Sequence, residues 1–344
     1  MKIIYSEDHR LHAGAKEMIN GEMVPMFEKP ERIDMILQRI AELSYGEMQE
    51  PESFDLAPIT AVHAEDYVDF LAEAFELWQK EAETDFALPF VFPMRGLRQK
   101  PGRSIFSKLG AYTFDVGAPI VAGSWQAIKT SADIALTGQR LVQNGERSVF
   151  SLCRPPGHHA AADMAGGYCY VNNAAVAAQA FRDAGAARVA ILDVDYHHGN
   201  GTQSIFYGRD DVLFVSLHGH PDQEYPYFAG YADETGEGEG EGYNANYPMP
   251  WGTAWDVYGA ALDDGIAKIE GFAPDVLVIS LGVDTFKDDP ISHFKLEHED
   301  YLRIGEKIAA LGLPTHFVME GGYAVAAIGV NAINVLLGFE EAAR

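Results

Sequence analysis

The sequence predicts an α/β fold, a mostly parallel sheet covered by helices on both faces and organised as one continuous domain. Three observations carry this expectation. Five short runs rich in Val, Ile and Leu, at 148–152, 188–194, 212–217, 275–281 and 315–319, lack polar alternation, the pattern of strands buried on both faces. Alanine-rich or amphipathic stretches at 126–143, 173–184, 255–270 and 298–311 separate most of them, which gives the strand–helix–strand order of a parallel sheet. At 344 residues the chain can bury a large core without having to divide, so 1–344 reads as a single domain.

Taken in order, 63–82 reads as a helix with Tyr67, Phe70, Leu71, Ala74 and Leu77 on one core-facing stripe. From 84 to 123, Pro89, Pro93, Pro101, Pro119 and several glycines interrupt any sustained period, so this stretch is expected to be a long insertion loop leaving the core. The run from Asp233 to Gly242 alternates acidic residues with glycine and reads as a solvated connection. No internal repeat is present.

The charge balance of 51 acidic against 25 basic residues, net −26, spreads a negative potential that repels polyanions and excludes nucleic acid as a partner. It permits a cationic substrate. Two cysteines, Cys153 and Cys169, are too few for a disulfide framework and read as small buried hydrophobes. The first eight residues turn polar quickly and lack the apolar region of a signal peptide, and no apolar run approaches the roughly 20 residues of a membrane span. The expectation is a cytoplasmic protein without membrane association.

Chemistry concentrates where the predicted strands end. The run 188–194 leads into Asp193-Val194-Asp195-Tyr196-His197-His198-Gly199-Asn200-Gly201, and in extended chain Asp193, Asp195 and His197 point the same way. Carboxylate and imidazole are ordinary zinc ligands, and a buried carboxylate cluster without a cation is costly. Asp284, beyond 275–281, supplies a third ligand; three protein ligands leave one position open, the arrangement of catalytic zinc. An Asp-His-Asp set also accepts Fe(II) or Co(II). Gly199 stands where an extended alternating set would continue, which favours one metal over two. Run 148–152 leads into Cys153-Arg154-Pro155-Pro156-Gly157-His158-His159, and 315–319 into Glu320-Gly321-Gly322-Tyr323. Each histidine, taken alone, is as readily structural, and Tyr168 in the Gly166–Asn173 block as readily core. All four groups nevertheless follow strands of one parallel sheet, where ligands bind outside the carboxyl ends.

These five blocks, Arg154–His159, Asp193–Gly201, Ser216-Leu217-His218, Leu281–Thr285 and Glu320–Tyr323, occur in the order of the histone deacetylase superfamily, which the sequence closely resembles over nearly its whole length. Within the superfamily the resemblance is to the bacterial acetylpolyamine amidohydrolases. It implies the arginase-deacetylase fold, an eight-stranded parallel sheet flanked by helices, with zinc held by Asp195, His197 and Asp284. It implies His159 as general base and acid, His158 as its electrostatic partner paired with Asp193, and Tyr323 as donor to the developing oxyanion. A monovalent cation, K+ or Na+, would use Asp193, Ser216 and the backbone carbonyls of Asp195, His197 and Leu217. Tyr168 and Tyr225 would line a narrow tunnel, and the Gly167 carbonyl would meet the substrate amide. Asn200 would orient His159 where other branches place an aspartate, so a base of lower pKa is expected.

The implied reaction is hydrolysis of an acetylated amine by metal-activated water. The region from Glu17 to Pro30 and the 84–123 stretch resemble the polyamine branch, which implies an insertion that mediates dimerisation and narrows the entrance and, at Glu17, one of the acidic positions that help bind the distal ammonium. The 105–120 segment departs from that pattern, offering Asp115 but no glutamate. A small cationic acetylated amine and a homodimer are therefore expected. A protein lysine deacetylase shares every catalytic residue and differs at the entrance; a silent metal- or acetyl-binding module would need a damaged site, which is not present. A ureohydrolase would need a two-metal ligand set, which is not present.

Overall fold

The computed structural model describes residues 1–19 and 21–343. Among the described residues ten strands form, β1 (Lys2–Ile4), β2 (Lys16–Ile19), β3 (Glu22–Pro25), β4 (Glu47–Gln49), β5 (Ser148–Ser151), β6 (Val189–Asp193), β7 (Val212–Gly219), β8 (Asn244–Met249), β9 (Val276–Leu281) and β10 (Thr315–Met319). The α-helices are α1 (Glu31–Leu43), α2 (Ala57–Thr60), α3 (Glu65–Glu81), α4 (Ile105–Ala111), α5 (Ser124–Gln143), α6 (Asn173–Asp183), α7 (Asn200–Phe206), α8 (Trp255–Phe272), α9 (His298–Ala309) and α10 (Val325–Ala342). Eight strands make one sheet in the order β4-β1-β5-β10-β9-β6-β7-β8, every neighbouring pair parallel, while β2 and β3 pair antiparallel outside it.

The apolar runs become central strands because each has a hydrophobic layer on both sides. Within β6, Ala190 and Leu192 enter one core and Val189 and Ile191 the other; in β9, Leu277, Ile279 and Leu281 oppose Val276 and Val278. A strand buried on both faces has no polar face to alternate with, which is why period two vanishes from its sequence. The helices start on local signals. Asn172 caps α6 by accepting from the Ala175 amide at 2.9 Å, and Glu297 with Asp300 closes a capping box on α9.

Three expectations change in detail. The strand read at 188–194 ends at Asp193, so the two-residue alternation does not continue through Asp195 and His197. The 84–123 stretch leaves the core as expected, but contains α4 and an antiparallel bridge between Ala87 and Ile120. Helix α10 is, by length and composition, apolar enough to cross a membrane, contrary to the absence of such a run expected above; it instead packs against α9 and α1, with Ile328, Ile333, Val335 and Leu336 buried, the placement of a core helix. The helix at 63–82 holds its stripe, with Trp78 more deeply buried than Leu77.

Candidate metal and catalytic site

Strands β5, β10, β9 and β6 are adjacent in the middle of the sheet, and His158 and His159, Tyr323, Asp284, and Asp195 and His197 follow their respective carboxyl ends. Register aligns those ends: Asp193 pairs with Ser280 on one side and Ser216 on the other, and Met319 pairs with Leu281. Four loops distant in sequence therefore meet over one edge.

Asp195, His197 and Asp284 bring three ligand atoms within 4.8 Å of one another, all buried. His197 Nδ1 lies 3.0 Å from Asp284 Oδ2 and 3.4 Å from Asp195 Oδ1. Those separations are close to the edge of about 3.3 Å for a tetrahedron with bonds near 2 Å. Backbone amides orient the carboxylates: Gly321 N donates to Asp195 Oδ2 at 2.9 Å and Tyr196 N to Asp284 Oδ1 at 2.7 Å. Glycines leave the necessary room, since a Cβ on Gly282 would stand 2.0 Å from Asp195 Oδ2, and one on Gly321 2.5 Å from that oxygen and 2.7 Å from Asp284 Oδ2. Burial, and next the Asp195 carboxylate, push the Asp284 carboxyl up to about 7. Among the described residues neither carboxylate has a lysine or arginine partner, so a divalent cation is the charge this donor set fits. A second buried trio, His158, Cys169 and Glu320, lies alongside.

Asp193 turns away from this triangle. Its Oδ2 accepts from His158 Nδ1 at 2.9 Å, and its Oδ1 from the Asp195 amide at 3.1 Å, because the chain leaves the strand geometry at Asp193. Burial opposes a charged His158, but Asp193 and then Asp195 outweigh it and push the imidazole up to about 10. His159 goes the other way: burial and the neighbouring His158 and His197 hold it well below the ordinary value, and its Nδ1 donates to Asn200 Oδ1 at 2.7 Å. The two ring centroids lie 4.0 Å apart, and the shifts run in opposite directions, His158 toward the cation and His159 toward the neutral form. The bond to Asn200 raises the His159 value, and burial outweighs it.

Tyr323 sits on the glycine turn after β10. Arg32 from α1 reaches beneath it, Nε donating to Gly322 O at 2.6 Å and Nη2 to Glu320 O at 2.5 Å, with the guanidinium 4.9 Å from the Tyr323 ring. Burial raises the phenol well above its ordinary value, so it keeps its proton.

A cavity of about 420 Å³ opens above these groups, with His159, His197 and Tyr323 on its floor and Gly167, Tyr168 and Tyr225 on its walls. Gly167 and Tyr168 both adopt positive φ, and a Cβ at Gly167 would meet His159 Cδ2 at 2.5 Å and Tyr225 Oη at 2.8 Å. Glu17 lines the same cavity, but both oxygens are occupied: Tyr168 Oη donates to Oε2 at 2.6 Å and the Phe27 amide to Oε1 at 2.8 Å. Asp115 accepts from Tyr225 Oη at 2.6 Å, Gly167 N at 2.9 Å and Gly117 N at 2.8 Å, joining both walls. Ser216 Oγ bonds His218 Nδ1 at 2.8 Å, one strand over from Asp193. Sequence reasoning passed over Arg32, Glu28, Asp289 and the wall-joining role of Asp115; none belongs to a motif with its own spacing.

The sequence matches the histone deacetylase domain over residues 26–338. It is similar to acetylpolyamine amidohydrolase 2 of Pseudomonas aeruginosa, 59% identical with both chains covered in full. The acetylpolyamine amidohydrolase of Mycoplana ramosa is 47% identical, with 98% of this chain and 99% of that one covered. The crystal structure of the acetylpolyamine aminohydrolase from Burkholderia pseudomallei superposes with a TM-score of 0.95 at 40% identity, covering 99% of each chain.

Proposed function

This chain belongs to the histone deacetylase domain family, and from that premise we propose that it is a zinc-dependent amidohydrolase that removes acetyl groups from small acetylated amines, acetylpolyamines foremost. The observation that carries the proposal is the buried Asp195–His197–Asp284 triangle, whose His197 lines a cavity that His159 and Tyr323 line as well. Asp195, His197 and Asp284 would hold the zinc ion, which when bound supplies a Lewis acid for the acetyl carbonyl and lowers the pKa of the attacking water.

The chain's own residues do the rest. His159, its Nδ1 committed to Asn200, takes the water proton at Nε2 and returns it to the departing amine, so acetate and free amine leave. His158, kept cationic by Asp193, steadies negative charge beside it. Tyr323 donates its hydroxyl proton in a hydrogen bond to the oxygen that becomes negative. Tyr168 and Tyr225 clasp an extended aliphatic chain and exclude water, and the Gly167 carbonyl accepts from the substrate amide. Glu17 and the net charge of −26 favour a cationic tail. A monovalent cation, K+ or Na+, would use Asp193, Ser216 and the carbonyls of Asp195, His197 and Leu217; the register that sets Asp193 beside Ser216 supports it. A homodimer is supported by the apolar surface that the insertion loop exposes at Phe90, Met94 and Leu97.

The test is turnover of acetylated putrescine, cadaverine, spermidine, spermine and acetyl-lysine peptides on metal-quantified protein, before and after chelation. Small acetylated amines should be the better substrates, and chelation should abolish turnover until zinc is restored. Faster peptide turnover would overturn the substrate class, and full activity after complete chelation the metal. With metal retained, Tyr323→Phe and His159→Ala should each lower kcat by about 10²- to 10³-fold.

A further inference from the structure

The turn that carries Tyr323 is gripped from two sides, and one of the gripping residues has no role in the reaction as described. Arg32 takes its carbonyls. Asp289, in the loop that follows β9, takes its amides: Oδ2 accepts from Tyr323 N at 2.7 Å and Ala324 N at 2.9 Å, while Oδ1 accepts from Ile291 N at 3.2 Å. Asp289 is buried, so these three bonds are what offsets the cost of taking its carboxylate out of water. The residues before Tyr323 are Gly321 and Gly322, the latter at φ +129°, and glycines impose little direction of their own on the chain. The bearing of the Tyr323 side chain is therefore decided by the bonds made to its backbone. Ile291, held by the other oxygen, lines the same cavity.

We propose that Asp289 is a positioning residue: by gripping the Tyr323 and Ala324 amides it aims the Tyr323 hydroxyl at the cavity floor, and through Ile291 it ties that hydroxyl to the cavity wall. The proposal rests on the reading of Tyr323 as the donor to the developing oxyanion. Its rival is that Asp289 merely caps the start of α10, to which these amides lead.

A double-mutant cycle on zinc-loaded, metal-quantified protein separates the two. Asp289→Ala should lower kcat by about 10²-fold, the scale of a 1 Å misplacement of a reacting group, with KM nearly unchanged. In a Tyr323→Phe background the same change should cost less than about twofold, because the hydroxyl it aims is gone. Asp289→Asn, which keeps an oxygen able to accept both amides, should recover part of the loss. Amide exchange read by mass spectrometry should accelerate at 320–326 in Asp289→Ala and stay unchanged in β9.

Equal fractional losses in both backgrounds would make Asp289 a plain cap, and unchanged exchange at 320–326 would show no grip; either overturns the proposal. A fully active Asp289→Ala beside an inactive Tyr323→Phe would overturn the positioning role alone. A fully active Tyr323→Phe would remove the donor reading itself, and the proposal with it.

Discussion

Glu28 illustrates how a single side chain can matter without belonging to any motif. Its carboxylate lies wholly buried between two fully buried guanidiniums, Arg32 at 2.8 Å and Arg154 at 2.7 Å, both bonded to Oε1. Burial raises its pKa, but Arg154 and Arg32 outweigh that and leave it below the usual glutamate value. A depressed folded pKa stabilises the fold above the unfolded value and ceases to do so as pH falls through the folded one. Glu28→Gln, which strands two buried cations, should therefore destabilise by about 3–5 kcal/mol at pH 7. Since glutamine does not titrate, the gap to the parent should close below about pH 4. Urea unfolding of both proteins at pH 7 and in that acid range checks this; a gap that widens in acid contradicts the assignment. The proposed zinc ligands, together with His158, His159 and Tyr323, could be picked out as residues because their motifs are contiguous. Arg32 was not, since its partners at Gly322 and Glu320 lie about 290 residues further along.

Among the elements, β6 and β9 end in loops whose spacing matters as much as their donors. Gly282, just past β9, lies against Asp195, so Gly282→Ala drives a methyl group into one of the carboxylates proposed to hold the metal. Zinc content after equilibrium dialysis should fall at least tenfold while the far-ultraviolet spectrum stays unchanged, the scale seen when groups around metal ligands are disturbed; full metal loading in this variant would refute the triangle. The central strands could be read directly, because burial on both faces strips them of polar residues. The edges could not. β1 and β4 have three residues each, and β8, Asn244–Met249, carries two asparagines and a proline, so neither length nor composition marks them as strands. Their pairing is supplied by a sheet that already exists beside them.

At the scale of the whole molecule, the insertion loop has two parts, one lining the cavity at Asp115 and one exposed to solvent. It exposes the apolar side chains of Phe90, Met94 and Leu97 at 73%, 69% and 66% of their surface. If it is the homodimer contact, the parent protein should sediment as a dimer and a Phe90→Asp/Met94→Asp variant as a monomer. A monomeric parent would end that proposal. The four strands that feed the site are contiguous in the sheet although β5 and β10 lie more than 160 residues apart in the chain, a nearness that no local pattern encodes.

What the sequence determined by itself was the fold class, the donor types and the order in which they occur, because strand burial and motif spacing are properties of neighbouring residues. Only the tertiary structure decided which of those donors converge. It parted Asp193 from the triangle at a strand end, occupied both Glu17 oxygens, and set Asp289 and Arg32 on either side of the Tyr323 turn. Those outcomes depend on contacts between distant segments, and such contacts are chosen by the packing of the whole sheet rather than by any stretch of chain.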